Sequence, residues 1–242
     1  MVEFVGKGLP EIVGWIQSKV REAGADGVVF GLSGGIDSAV VAGLAVRACG
    51  PGAQGLILPC ESDPKDIEDA LLVAKTFRLR TREYDLTPVY RQFLTVFADL
   101  PPNKLAQANL KARLRSNALY YVANEANLLV LGTSNLSEIT VGYFTKWGDS
   151  AVDLRPLADL TKTQVRRLAR ELGVPERIIA KAPSAGLWPG QTDEAELGLT
   201  YEQIDAYIAG EPLPTEVAER IAMLEAKSRH KRIFPPSPGR ES

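Results

Sequence analysis

The sequence predicts an α/β fold, a doubly wound parallel sheet with helices on both faces. Three observations predict it. Short apolar runs alternate along the chain with segments of helical periodicity, the pattern of successive strand–helix–strand crossovers. The runs are continuously apolar, as in strands buried on both sides. A glycine turn joins the first run directly to a helix, at the sheet edge where such folds present ligands.

Each element follows from local signals. Residues 3–23 carry Ile12, Ile16 and Val20 at helical spacing and are expected to form an amphipathic helix. Gly27-Val28-Val29-Phe30-Gly31-Leu32 is the first strand and Ser33-Gly34-Gly35 a tight turn. Residues 37–49 are small and apolar, a helix suited to close packing on the sheet, and Gly50-Pro51-Gly52 stops it. Gly55-Leu56-Ile57-Leu58 is the second strand, residues 64–77 a helix with proline in its first turn, and residues 80–85 a third strand. Pro101-Pro102 breaks the chain before a long helix over residues 103–127, and Leu128-Leu129-Val130-Leu131 is the fourth strand.

Residues 132–160 are expected to be mostly irregular, and a connection of that length in a compact domain is usually functional. Thr161-Lys162-Thr163-Gln164 has the form of a capping box opening a helix that Gly173 ends. Residues 182–192 make a second Gly/Pro-rich loop. Thr200-Tyr201-Glu202-Gln203 is a second capping box, and a last helix spans about residues 215–229 after Pro212 and Pro214. Residues 1–234 form one domain, and the proline-rich residues 235–242 a flexible tail. The loops after the first and fourth strands and the 182–192 loop are expected to converge at the carboxyl ends of the strands.

Bulk properties narrow the function. The chain has 242 residues, the size of one large domain, with 28 basic against 30 acidic side chains. That balance argues against a nucleic-acid partner, which usually demands a basic excess. Cys49 and Cys60 are the only cysteines. They form no zinc or redox spacing and are expected as buried packing in a reducing, cytoplasmic compartment. No apolar run approaches the ~20 residues of a membrane span, and the N-terminus carries no secretory pattern.

The chemistry concentrates in Gly31-Leu32-Ser33-Gly34-Gly35-Ile36-Asp37-Ser38. Two glycines let backbone amides approach an anion, and the helix N-terminus adds unpaired N–H groups and a positive dipole end. Ser33 and Ser38 add hydroxyls. Asp37 would repel phosphate unless magnesium stands between carboxylate and phosphate oxygens. The loop lacks the lysine that tracks a γ-phosphate in P-loop NTPases. The plain alternative is a glycine turn with Asp37 and Ser38 as helix caps.

The string Ser33-Gly34-Gly35-Ile36-Asp37-Ser38 resembles the phosphate loop of the N-type ATP pyrophosphatases, a Rossmann-like group. Its members adenylate a substrate oxygen and then admit a nitrogen nucleophile. Further strings follow in order: Lys111-Ala112-Arg113-Leu114-Arg115, Leu131 to Glu138, Val141 to Asp149, Asp159 to Val165, Pro183 to Trp188, Gly190 to Glu194, and His230-Lys231-Arg232. Together they resemble the ammonia-dependent NAD synthetases, over about residues 27–236.

The resemblance implies ATP-dependent amidation of nicotinic acid adenine dinucleotide with ammonia, giving NAD, AMP and pyrophosphate. It implies roles as well. Gly31 to Ser38 would cradle ATP, joined by Thr133, Lys162 and Ser184. Asp37 and Glu138 would hold Mg2+. Arg113, Lys146, Asp153, His230 and Lys231 would bind the dinucleotide. Asp149 would orient ammonium or accept its proton, with Lys162 as the second catalytic group. A homodimer with the dinucleotide bound across its interface is implied too.

Read without the resemblance, several residues have ordinary alternatives. Lys162 stands in a helix's first turn, against the dipole, which favours a functional role. Arg113 and Arg115 suit a solvated helix face, His230 a surface position and Glu138 a helix cap. Lys146, in an aromatic loop, is open. Trp188 is either a packing anchor or a stacking surface. Leu136 departs from the lysine, and Ser116 from the methionine, common in relatives. No cysteine sits where a glutaminase would need one, so free ammonia is the expected nitrogen source. Two other readings compete: a tRNA-modifying member of the group, which should show a basic extension or thiol pair, and a non-catalytic nucleotide sensor, which should have lost Asp37, Lys162 or Glu138.

Overall fold

The computed structural model describes residues 8–184, 186 and 190–237. The reading of Trp188 lies outside these residues. The chain opens with α1 (Leu9–Glu22), then β1 (Gly27–Gly31), α2 (Ile36–Cys49), β2 (Ala53–Ile57), α3 (Pro64–Phe77) and β3 (Arg80–Glu83). Next come α4 (Thr87–Val96), α5 (Lys104–Ala126), β4 (Leu128–Val130) and α6 (Leu136–Val141). The last stretch holds α7 (Lys162–Leu172), α8 (Glu176–Ile179), α9 (Asp193–Leu197), α10 (Tyr201–Ala209) and α11 (Thr215–Ser228).

The strands form one parallel sheet in the order β3-β2-β1-β4. The chain runs outward from β1 to β3 and then crosses back to place β4 on the other side of β1. The switch point therefore lies between the carboxyl ends of β1 and β4, where crossovers diverge to opposite faces and leave a crevice. One face packs Val28 and Phe30 against Ile16 of α1, small residues of α2 such as Ala42, Val73 of α3 and Leu168 of α7. The other packs Val29, Leu56 and Val130 against Leu119 and Ala123 of α5. The doubly wound reading is borne out. Beside the sheet, α6, α10 and α11 share a third cluster around Val141, Tyr201, Ile204 and Ile221.

The differences from the sequence reading have local causes. Residues 132–160 contain α6, a helix of six residues set by a capping box: Asn135 Oδ1 accepts Glu138 N–H at 3.1 Å, and Glu138 Oε2 accepts Asn135 N–H at 3.3 Å. The third strand stops at Glu83, two residues early, because Asp85 Oδ1 takes the Thr87 amide at 2.9 Å and turns the chain into α4. The sequence reading assigned neither α4 nor the short α8 and α9. In α4 only Tyr90 is buried, and Val89, Phe93 and Val96 stay exposed. Among the described residues no helix is long and apolar enough to cross a membrane.

Candidate active site

The phosphate loop leaves β1 and enters α2 at N-cap Gly35. The first helical bond runs from Ala39 N–H to Gly35 C=O, so the amides of Ile36, Asp37 and Ser38 lie ahead of the hydrogen-bonded ladder. Gly34 has φ +79°, and a Cβ there would stand 2.4 Å from Asp66 C=O, so only glycine fits between the loop and α3. Hydroxyls shape the turn. Ser38 Oγ donates to Gly35 C=O at 2.9 Å and accepts Ser33 N–H at 3.3 Å, while Ser33 Oγ accepts Gly35 N–H at 3.3 Å. Ser33 and Ser38 thus hold the loop's form as well as offering hydroxyls.

Opposite the loop stands a charged cluster. Lys162, first residue of α7, is 1% exposed. Its Nζ donates to Asp37 Oδ2 at 2.6 Å and to Glu138 Oε1 at 3.1 Å, and it lies 4.6 Å from the centre of the Tyr201 ring. The helix start that carries it is pinned from two sides. Lys162 N–H donates to Ser137 Oγ at 2.9 Å, and Thr163 N–H to Asp205 Oδ2 at 2.9 Å. Asn135 Nδ2 steadies Asp37 through Oδ1 at 2.9 Å. Glu138 proves to be both cap and cluster member, one oxygen on the Asn135 amide and the other on Lys162.

The charge states follow from burial and crowding. Burial works against the Lys162 ammonium, but Asp37 and Glu138 outweigh it and raise its pKa above the ordinary lysine value. Glu138 is raised to about 7, by burial first and by the nearby Asp37 and Asp193 carboxylates, against the pull of Lys162. Asp149 is also raised by burial, although Thr145 N–H donates to its Oδ1 at 2.8 Å and Lys231 stands near.

A cavity of about 760 Å³ joins these groups at the strand carboxyl ends. Of the loop, Gly31, Leu32, Ser33, Gly35, Ile36, Asp37 and Ser38 line it. So do Thr133, Glu138, Asp149, Lys162, Ser184, His230 and Lys231, drawn from both long loops and the C-terminal turn. Gly34 faces α3 instead. Three predicted substrate residues do not line the cavity. Arg113 is exposed on α5, with Nη2 donating to Lys146 C=O at 3.2 Å. Lys146 Nζ donates to His230 C=O at 2.7 Å. Asp153 accepts Tyr120 O–H at 2.9 Å and Val130 N–H at 2.8 Å, bonds that secure the end of β4. Lys231 lines the cavity, yet its Nζ is engaged by Gly142 C=O at 2.8 Å and Phe144 C=O at 2.9 Å.

Sequence reasoning missed other members. Arg115 lines the cavity, held by Leu58 C=O at 3.1 Å and Ser62 Oγ at 3.2 Å. Lys181 sits at the rim on Asp66 Oδ1 at 2.7 Å and Asp69 Oδ2 at 2.6 Å. Asp193 and Tyr201 belong to the charged cluster, with Tyr201 O–H donating to Asp193 Oδ2 at 2.8 Å. The only sequence signal for Asp193 is its place in the Gly190 to Glu194 string.

The donor set fits a hard divalent cation. Asp37, Glu138 and Asp193 set three carboxylates against the one ammonium of Lys162. Asp193 Oδ1 is buried without a hydrogen-bond partner among the described residues. Among the described residues no three acidic, histidine or cysteine side chains converge on one metal position. Magnesium asks for little more than one or two carboxylates plus phosphate oxygens and waters, which Asp37 and Glu138 can supply.

Three kinds of comparison agree with this geometry. The family model described as NAD synthase matches residues 9–235. An NH3-dependent NAD(+) synthetase of Carboxydothermus hydrogenoformans is 47% identical over 231 residues, which cover 94% of this chain and 95% of that one. A solved NMN synthetase from Francisella tularensis superposes with TM-score 0.92 at 41% identity, covering 95% of this chain and 96% of that one. A solved NH3-dependent NAD synthetase from Campylobacter jejuni gives TM-score 0.81 at 28% identity, with 95% and 96% covered.

Proposed function

The chain belongs to the NAD synthase family, and from that premise we infer that it is a C–N ligase converting deamido-NAD, ATP and ammonia to NAD, AMP and pyrophosphate. The observation that carries this reading is one cavity faced by the phosphate loop on one side and the Asp37–Lys162–Glu138 cluster on the other.

The reaction has two steps. A carboxylate oxygen of the nicotinate ring attacks the α-phosphorus of ATP. The new P–O bond forms as the α–β anhydride breaks, and pyrophosphate leaves with the electron pair. Ammonia then attacks the acyl carbon of the acyl-adenylate, the C–N bond forms, AMP leaves with the C–O electron pair, and the nitrogen gives up a proton. Nothing here demands a protein nucleophile. The barrier falls through alignment of reactants and stabilisation of charge developing on phosphate.

The chain's residues divide that work. The amides at the head of α2 and the Ser33 and Ser38 hydroxyls receive ATP phosphates, with Thr133 and Ser184 beside them. Asp37 and Glu138 would hold magnesium, which would supply neutralisation of the negative charge on the leaving pyrophosphate. Lys162, whose ammonium stands at the cavity beside Asp37 of the phosphate loop, offers positive charge to the departing phosphates. Asp149, with its raised pKa, is suited to orient ammonia and take its proton. Of the residues expected to bind the dinucleotide, His230 and Lys231 face the cavity and Arg115 joins them, while Arg113, Lys146 and Asp153 lie outside it and would meet the dinucleotide only where a second copy completes the site.

A homodimer completes the reading. On α4 and its C-cap, Val89, Phe93, Val96 and Phe97 are between 42% and 67% exposed, an apolar stripe that asks for a partner surface. A second copy covering it would bring the dinucleotide between subunits. We place the enzyme in the cytoplasm, where ATP and the dinucleotide are made.

The test supplies deamido-NAD, ATP, magnesium and ammonium and follows NAD with a coupled dehydrogenase and pyrophosphate in parallel. NAD formed with ammonium but not with glutamine supports the reading. Folded protein yielding neither product overturns it. A second substrate reading rests on the likeness to an NMN synthetase, which favours nicotinate mononucleotide as acceptor. Measuring kcat/KM for both acceptors side by side decides between them.

A further inference from the structure

We propose that Asp193 is a positioning residue of the metal centre, its carboxylate holding a water of the cation bound by Asp37 and Glu138. This rests on the assignment of that pair as metal ligands. Asp193 is 3% exposed, and its Oδ1 is buried with no hydrogen-bond partner among the described residues. Its other oxygen accepts the Tyr201 hydroxyl at 2.8 Å, and that hydroxyl lies 3.3 Å from Glu138 Oε1. One hydroxyl proton thus stands between two carboxylates and satisfies only the nearer.

A buried carboxylate oxygen with nothing to accept is costly and asks for an explanation. Helix formation does not provide one, since Thr192 already caps α9 by accepting Ala195 N–H. Nor does an ion pair, since Lys162 donates to Asp37 and Glu138, nor the Tyr143 hydroxyl, which stands near Asp193 but donates to Glu196 Oε2 at 2.8 Å. Ionised together, as metal binding would favour, the three carboxylates would exceed the ammonium by two charges, the deficit one divalent ion removes. Asp193 does not join the two ligands in a direct three-residue metal cluster. Magnesium, however, keeps several of its waters, and a water on the ion offers the donor that Oδ1 lacks. Asp193 also lies in the stretch leading from the 182–192 loop, so metal binding and the position of that loop become linked through Tyr201 and Glu138.

The test is Mn2+ affinity of the enzyme with ATP, read by electron paramagnetic resonance, in wild type, Asp193→Asn and Asp37→Asn. Asp193→Asn should weaken Mn2+ about tenfold, the usual effect of losing an outer-shell partner, and leave metal-free ATP binding unchanged. The melting temperature of metal-free protein should hold or rise, because an unpaired buried charge is gone. A merely structural aspartate would show the reverse, a lowered melting temperature with unchanged Mn2+ affinity, and that result overturns the proposal. Asp193→Ser, which keeps a hydroxyl beside Tyr201, carries the same test if the amide disturbs the fold. Unchanged Mn2+ affinity in Asp37→Asn would instead remove the metal pair, and the proposal with it.

Discussion

Lys162 Nζ lies 2.6 Å from Asp37 Oδ2, a bond between residues 125 positions apart that ties the head of α7 to the head of α2. Both helices point their N-termini at the cavity. A cation at a helix N-terminus is disfavoured by the dipole, so this lysine persists because two carboxylates offset that cost.

Lys162→Ala follows from that bond. The variant leaves Asp37 and Glu138 facing each other without their shared cation. Breaking a buried pair typically costs about 3 kcal/mol, roughly 6–12 °C in melting temperature for a chain of this size. Pyrophosphate release should fall by about 100-fold or more. The place of Lys162 in a helix's first turn pointed to a functional role; its burial adds the stability loss. Differential scanning fluorimetry beside a pyrophosphate assay checks both, and an unshifted melting temperature would mean the pair is not kept in solution.

Glu138→Gln separates the two jobs of one side chain. A glutamine oxygen still accepts the Asn135 amide, so α6 should keep its cap. The negative charge beside Lys162 is lost. The expected outcome is a folded protein, with melting temperature at or above wild type because the carboxyl was buried at cost, and about 100-fold slower pyrophosphate release. A variant that unfolds while its neighbours stay intact would assign Glu138 to the cap alone.

Much of this was legible in the chain. The glycine turn after Phe30 needed both a residue tolerant of positive φ at Gly34 and a helix start, and few folds use that sequence otherwise. Thr161 and Gln164 announced α7 through a local bond. What stayed hidden depends on distance in the chain or on face. Arg113 and Arg115 are two residues apart on α5 and so point away from each other. The sequence gives no sign of which reaches the cavity, and it is Arg115. Asp193 and Tyr201 meet Glu138 only after α9 and α10 fold beside α6. The stripe on α4 was unreadable as a core pattern because, among the described residues, its apolar side chains stay exposed.

Asp69→Asn tests the rim cluster through its pH dependence. Burial raises the Asp69 carboxyl, but hydrogen bonds and charge from Lys181 and Arg177 outweigh it and hold the pKa below the usual value. A carboxyl depressed in the folded state contributes stability above its unfolded pKa, and the contribution disappears as pH falls through the folded value. Asp69→Asn should therefore cost about 2 kcal/mol at pH 7, or roughly 4–8 °C. The difference from wild type should shrink as pH drops below about 4. Melting curves from neutral to acid pH check it, and a gap that stays constant with pH would show that packing, not charge, carries the effect.

Val96→Asp tests the dimer. Val96 is 67% exposed, so a charge there should change the stability of a lone subunit by less than about 0.5 kcal/mol. Buried in an interface beside Phe93 and Phe97, the same carboxylate would be desolvated without a partner and should shift the enzyme toward monomer. Sedimentation velocity reads the association. The kinetic consequence is specific: a dinucleotide bound across the interface loses half its site, so KM for deamido-NAD should rise while KM for ATP, whose phosphate loop lies within one subunit, stays put. Equal changes in both constants would remove the interface from substrate binding, and a variant that sediments like wild type would move the dimer contact away from α4.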